Sequence, residues 1–146
     1  MSYVEEIVSG IETKIVNILG ASYKKSDFVY FVEKTNTKTS NDIFRVSMGS
    51  GKRVEGSLRT TTIQQEFYVQ LTKQFTLKGD TDVDLRTKIF EIYDDHEKLY
   101  KESLFGNFDV QRVVLISEFD ISGPEIDLEN STITIGATYI INYRQG

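Results

Sequence analysis

The sequence predicts an α+β fold: one antiparallel sheet of about five strands with two helices packed on one face, in the order α-β-β-β-α-β-β. Three observations carry this. Two stretches repeat apolar residues every three to four positions, the period of one helical face. Several others alternate apolar and polar residues, as a strand with one buried and one wet side does. Successive strands joined by loops favour antiparallel pairing.

The first helix comes from SYVEEIVSGIETKIVNILG. Ser2 and Glu5 have the spacing of a capping box, in which side chains accept N–H groups that the first turn leaves unpaired. Val4, Ile7, Val8, Ile11, Ile15, Ile18 and Leu19 make one stripe, and Gly20 is a natural stop. Each buried aliphatic side chain of that stripe contributes about 1.5–3 kcal/mol, so the helix must lie against an apolar surface.

Strands follow at FVYFVE (28–33) and IFRVSM (43–48), with polar loop between them;. A longer strand spans residues 62–75. Ile63, Phe67, Val69, Leu71 and Phe75 fall on one side, and Thr62, Gln64, Glu66, Tyr68, Gln70 and Thr72 on the other. The second helix covers residues 81–104, with Leu85, Ile89, Ile92, Tyr93, His96, Leu99 and Tyr100 as its stripe. Gly106 and Asn107 end it. Strands at 110–117 and 132–144 close the chain. In the last, Ile133, Ile135, Ala137, Tyr139, Ile141 and Tyr143 share a side.

At 146 residues the chain fits a single domain, 1–146, able to bury roughly two thirds of its unfolded surface;. An apolar share of 39% with 27% charged residues is too apolar for disorder;. The absence of cysteine excludes disulfides, thiol chemistry and thiolate metal sites;. A net charge of −5 argues against a general nucleic-acid binder, whose affinity comes from neutralising phosphates;. The start lacks a basic, then apolar, leader, and the apolar runs are too short to span a bilayer. Neither export nor a membrane partner is expected.

Candidate chemistry fails on inspection. His96 is the only histidine and sits in an apolar helical stripe, as a packed residue does, beside Asp94 and Asp95 on a solvated face. Asp80, Asp82, Asp84 and Glu91 occupy positions one, three, five and twelve of a calcium loop. Position six of such a loop must be glycine, and here it is Leu85. GSGKRVEGSLR (49–59) imitates a phosphate cradle, but Val46 and Arg53 stand where the first glycine and the Ser or Thr belong. What is left is a flexible basic loop bearing Lys52, Arg53 and Arg59. Free carboxylates such as Glu66 and Asp120 would be the raw material of a small α+β enzyme, the distant alternative. Catalytic, metal and cofactor residues are expected to be absent.

The acidic segment before the last strand carries Glu118, Asp120, Glu125, Asp127 and Glu129 around Gly123-Pro124. Proline lacks a backbone donor and cannot sit inside a sheet, so the connection is expected to be a surface loop. Its carboxylates stay in water or meet cations outside the domain.

The layout adds to this. An N-terminal amphipathic helix, a glycine-containing basic loop, a strand ending QLTKQF, a second helix and the ending VVLISEFDISGPEIDLENSTITIGATYIINYR together resemble the tail terminator proteins of long-tailed bacteriophages, also called tail completion or neck proteins. The similarity runs from about Val4 to Tyr143 and rests on element order and on the acidic, partly apolar turn leading into a final alternating strand.

That resemblance implies a structural virion protein, made in the host cytoplasm. It would form a homohexameric ring that caps the tail tube, ends its polymerisation and offers a docking face to the head connector. The tail tube protein and a head-completion or connector protein would be its partners, and DNA would pass through the lumen without specific binding. Alternatives are a tail tube subunit or another head–tail connector protein. A closed ring needs two different complementary patches on each copy. Wet-side residues Gln64, Tyr68 and Gln70, the basic loop and the acidic turn are the candidates for them. Lys52 and Arg53 could instead line the hole.

Overall fold

A computed structural model describes residues 2–26, 42–56, 61–75, 82–106 and 113–145. Helix α1 (Tyr3–Leu19) leads through a 3-10 turn (Gly20–Ser22) to β1 (Lys24–Lys25). Then come β2 (Ile43–Gly56), β3 (Thr61–Gln74), α2 (Asp82–Gly106), β4 (Val113–Ile121), β5 (Glu125–Asp127) and β6 (Thr132–Gln145). The chain is α+β, with a mixed six-stranded sheet ordered β1-β2-β3-β6-β4 and β5 paired to β6. The strand expected at 28–33 lies outside the described residues.

Local chemistry accounts for the helices. The Ser2 hydroxyl accepts from the Glu5 N–H at 3.1 Å, which satisfies one of the donors the first turn leaves open;. Gly20, at φ 63°, ends α1 in the region where only glycine is unstrained;. Ile7, Ile11, Ile15 and Leu19 are buried, as their spacing requires. On α2, Ile92, His96 and Leu99 are buried, with Leu85, Ile89, Tyr93 and Tyr100 packed beside them. The helical backbone from Asp82 onward places Leu85 on this stripe and leaves no room for the sharp turn of a calcium loop.

One sheet side takes up both helices. It consists of Phe44 and Val46 on β2, Phe67, Val69 and Leu71 on β3, and alternate residues of β6 from Ile133 to Tyr143. Phe119 of β4 joins it by stacking on Tyr100 at 4.3 Å and tilting against Tyr139 at 5.3 Å. The last strand is therefore the middle of the sheet, paired with β3 along its whole length and with β4 and β5 on its other edge.

Three features depart from the sequence-based reading. The β1–β2 pair is parallel. The acidic connection, expected as a surface loop, holds a further strand, β5, paired with β6. Asp95 does not belong to a solvated face: it accepts the Tyr23 hydroxyl at 2.7 Å, tying the end of α1's connection to α2. Burial, and then that contact, pushes the Tyr23 phenol up. Nearby, Lys73 bridges Asp42 at 3.7 Å and Glu91 at 3.5 Å, closing the same end of the core. No helix among the described residues is long and apolar enough to cross a membrane.

His96 is a core residue. Its Nε2 lies 2.7 Å from the Ile135 carbonyl, and its Nδ1 is buried with no hydrogen-bond partner. The neutral ring with the proton on Nε2 fits this setting, donating to the carbonyl. Burial holds its pKa below the ordinary 6.5, outweighing the carbonyl bond and Asp95, which act the other way. The unfolded chain thus takes up the proton at higher pH than the folded one. This part of the stability is complete above pH 6.5 and declines as pH falls towards the lowered folded value;. The urea midpoint should therefore drop between about pH 7 and pH 5. His96→Gln, which keeps a donor for Ile135, should flatten that part of the profile.

Candidate functional site

Gly49–Gly56 is not the flexible loop that its glycines and basic residues predict. Strand β2 continues through it, pairing with β3 as far as Gly56 opposite Thr61. The glycines serve close approach rather than freedom. A Cβ on Gly49 would stand 2.8 Å from Cζ of Tyr68, so glycine lets that phenol lie across the strand. Beneath it, Gln65 Nε2 donates to the Gly49 carbonyl at 3.1 Å, and Gln65 Oε1 accepts the Tyr143 hydroxyl at 2.8 Å. One buried amide thus pins β2 and β6 to β3.

The β2–β3 ladder slips between Met48 and Gly51 and again between Arg53 and Glu55. The second slip leaves Val54 with no cross-strand partner, and the side chain is 45% exposed. Lys52 stands opposite Gln64 and Arg53 opposite Ile63, both exposed. Arg144, exposed opposite Thr62 at the end of β6, adds a third cation to this corner. It is the one cation in the final strand, and its place on the wet side of the alternation could have revealed it. Arg59 lies outside the described residues.

The sheet side away from the helices is polar. Gln64, Tyr68 and Gln70 are half-buried on β3, opposite Asn142, Thr138 and Gly136 of β6. The Tyr68 hydroxyl donates to Glu66 at 2.6 Å, and this bond pushes the phenol up. Thr72 and Thr134 share a 2.8 Å hydroxyl bond further along. A shallow cleft of about 250 Å³ opens between Ser50, Lys52, Gln64 and Glu66. Asp120 and Glu66 sit on β4 and β3 with β6 between them.

The acidic segment also differs from the loop expected. Glu118 and Asp120 belong to β4, opposite Ile140 and Thr138. Glu125 and Asp127 belong to β5, opposite Thr134 and Thr132. Only Ser122, Gly123 and Pro124 interrupt the edge, so the proline falls where no sheet donor is needed;. Asp120, Glu125, Asp127 and Glu129 are all exposed. Three aliphatic side chains share this edge: Ile121 at 39%, Ile126 at 46% and Leu128 at 64% exposure.

Asp127 has a structural task. Its carboxylate accepts from the N–H groups of Glu129 and Asn130 and from the Asn130 amide, at 2.8–3.1 Å. It builds the turn that Ser131, at φ 55°, completes into β6. These bonds, the Asn130 side chain first, hold its pKa below the ordinary 3.8.

The two charged corners are far apart. Lys52 aligns through Gln64 with Asn142, whereas Ile126 aligns with Ile133, nine residues earlier on β6. At ~3.3 Å per residue that is ~30 Å along the strands, with three strand spacings, ~14 Å, across them. The corners are diagonal ends of one sheet.

No family model matches the sequence, and no curated protein matches it.

Asp127→Ala should lower the melting temperature at neutral pH. A carboxylate with a depressed pKa stabilises above its unfolded value and ceases to as pH falls through the folded one. The gap between variant and parent should therefore close below about pH 3.8, which calorimetry across pH would measure.

Proposed function

We propose that the protein is a ring-forming structural subunit of the phage tail terminator kind. Identical copies join head to tail into a closed collar, a homohexamer, that caps the tail tube and stops its growth. The collar then presents a docking face to the head connector. The proposal assigns the chain no chemistry and lets DNA pass through the lumen without being gripped.

The observation that supports this reading is the pair of unlike, exposed corners on opposite ends of one rigid sheet. Lys52, Arg53 and Arg144 form one, and Asp120, Glu125, Asp127 and Glu129 the other. A ring or filament needs two different patches that fit each other. The charge distribution therefore supplies the two unlike patches that head-to-tail assembly requires.

Native mass spectrometry of the purified chain should show a closed oligomer of fixed size. Lys52→Glu with Arg53→Glu should shift it to monomer while the circular dichroism spectrum stays unchanged. High salt should act in the same direction, because screening shortens the reach of exposed charges from about 10 Å at 0.1 M to about 3 Å at 1 M. A ring mass and tail binding that survive the double substitution would remove these residues from assembly. Long tubes seen by negative-stain microscopy would identify a tail tube subunit instead.

A further inference from the structure

We infer that the end of β2 around Val54 of one copy seats on the β4–β5 edge of the next, with Val54 packed against Ile126 and Leu128. This rests on the head-to-tail reading above and names its contact. Single exposed aliphatics are ordinary on a protein surface. Here, however, three fall within eight residues, on an edge whose other exposed side chains are mainly carboxylates. The matching feature is Val54, left unpaired by the ladder slip, preceded by Lys52 and Arg53 and followed by Glu55. Each corner thus carries an aliphatic element: around Val54 the cations Lys52, Arg53 and Arg144 outnumber the carboxylate Glu55, whereas around Ile126 and Leu128 the charges are carboxylates.

The backbone adds a second reason. Among the described residues, β5 bonds to β6 alone and β2 beyond Phe44 bonds to β3 alone. Among the described residues both corners therefore present strand edges without a further partner, and such edges pair readily with other strands unless charge forbids it;. Carboxylates along β5 repel a second β5 but attract the cationic tip of β2. The same charges that block symmetric pairing select the head-to-tail occupant. Register supports the fit as well: Lys52 shares the polar sheet side with Glu125 and Asp127. Edges meeting with that side outward bring opposite charges together.

The cysteine-free sequence makes the contact directly testable. The double variant Val54→Cys/Leu128→Cys, oxidised at low concentration, should give a ladder on non-reducing gels that ends at the ring mass. Each single variant should stay monomeric on the gel, and a mixture of the two should give dimers only. A second arm uses charge: Lys52→Glu/Arg53→Glu should abolish assembly, and adding Glu125→Lys/Glu129→Lys should restore it. All of these positions are exposed, and the thermal transition of each reduced variant would verify folding. A wild-type ring mass with neither ladder nor rescue would overturn this contact and leave the ring standing. A wild-type chain that is monomeric throughout would overturn both. Efficient disulfide dimers of either single variant would mark a symmetric contact and overturn the head-to-tail seat.

Discussion

Burial of one side of the sheet is the constraint from which the rest follows. Ile7, Ile11 and Ile15 of α1 and Ile92 and Leu99 of α2 share a core with the inward columns of β2, β3 and β6. At about 1.5–3 kcal/mol for each large aliphatic, no other interaction in the molecule competes with this. It sets the register of every long strand, because a slip by one residue would turn the whole apolar column outward. Polar residues are thereby committed to the far side. Gln64, Tyr68, Gln70 and Thr138 are where they are because Phe67, Val69, Leu71 and Tyr139 have to be inside.

Within that frame the hairpin corner depends on one buried amide. Gln65 occupies an inward position in a column that is otherwise apolar, so both ends of its side chain must find partners. They do, in the Gly49 carbonyl and the Tyr143 hydroxyl. The bond to Gly49 fixes the start of the first ladder slip, and Tyr68 lying across that glycine covers it from the polar side. A glycine-rich, basic segment that would wander as a loop becomes an extension of the sheet as far as Gly56. Lys52, Arg53 and Val54 gain fixed positions, and fixed positions allow a surface to choose its partner.

Much of this was legible in the sequence. The stripe of α1, the two sides of β3 and the alternation of β6 are each readable residue by residue, because periodicity reports burial directly. The packed role of His96 followed from the same stripe. Other features were hidden for identifiable reasons. Glycine and charge in Gly49–Gly56 mimic loop composition, and only the long-range bonds of Gln65 turn the segment into strand. Gln65 itself was the visible anomaly, a polar residue between Ile63 and Phe67. Glu118 and Asp120 read as loop because they lie beyond the apolar run 110–117 and close to Gly123-Pro124; they fit in a strand here because β4 ends the strand order. The Tyr23–Asp95 bond joins residues 72 positions apart, and no local pattern encodes such a contact.

The diagonal placement of the two corners constrains any collar the chain builds. In a closed ring the step from one copy to the next has no component along the axis, or the assembly would climb into a helix. If the corners meet, the line joining them must lie in the ring plane. That line runs ~30 Å along the strands but only ~14 Å across them, so the strands lie closer to the ring plane than to its axis. A tube whose subunits stack along the axis demands the reverse: contacts above and below each copy that repeat without end. In the proposed collar the unlike corners would meet within the plane, and that contact would leave neither corner to repeat along the axis.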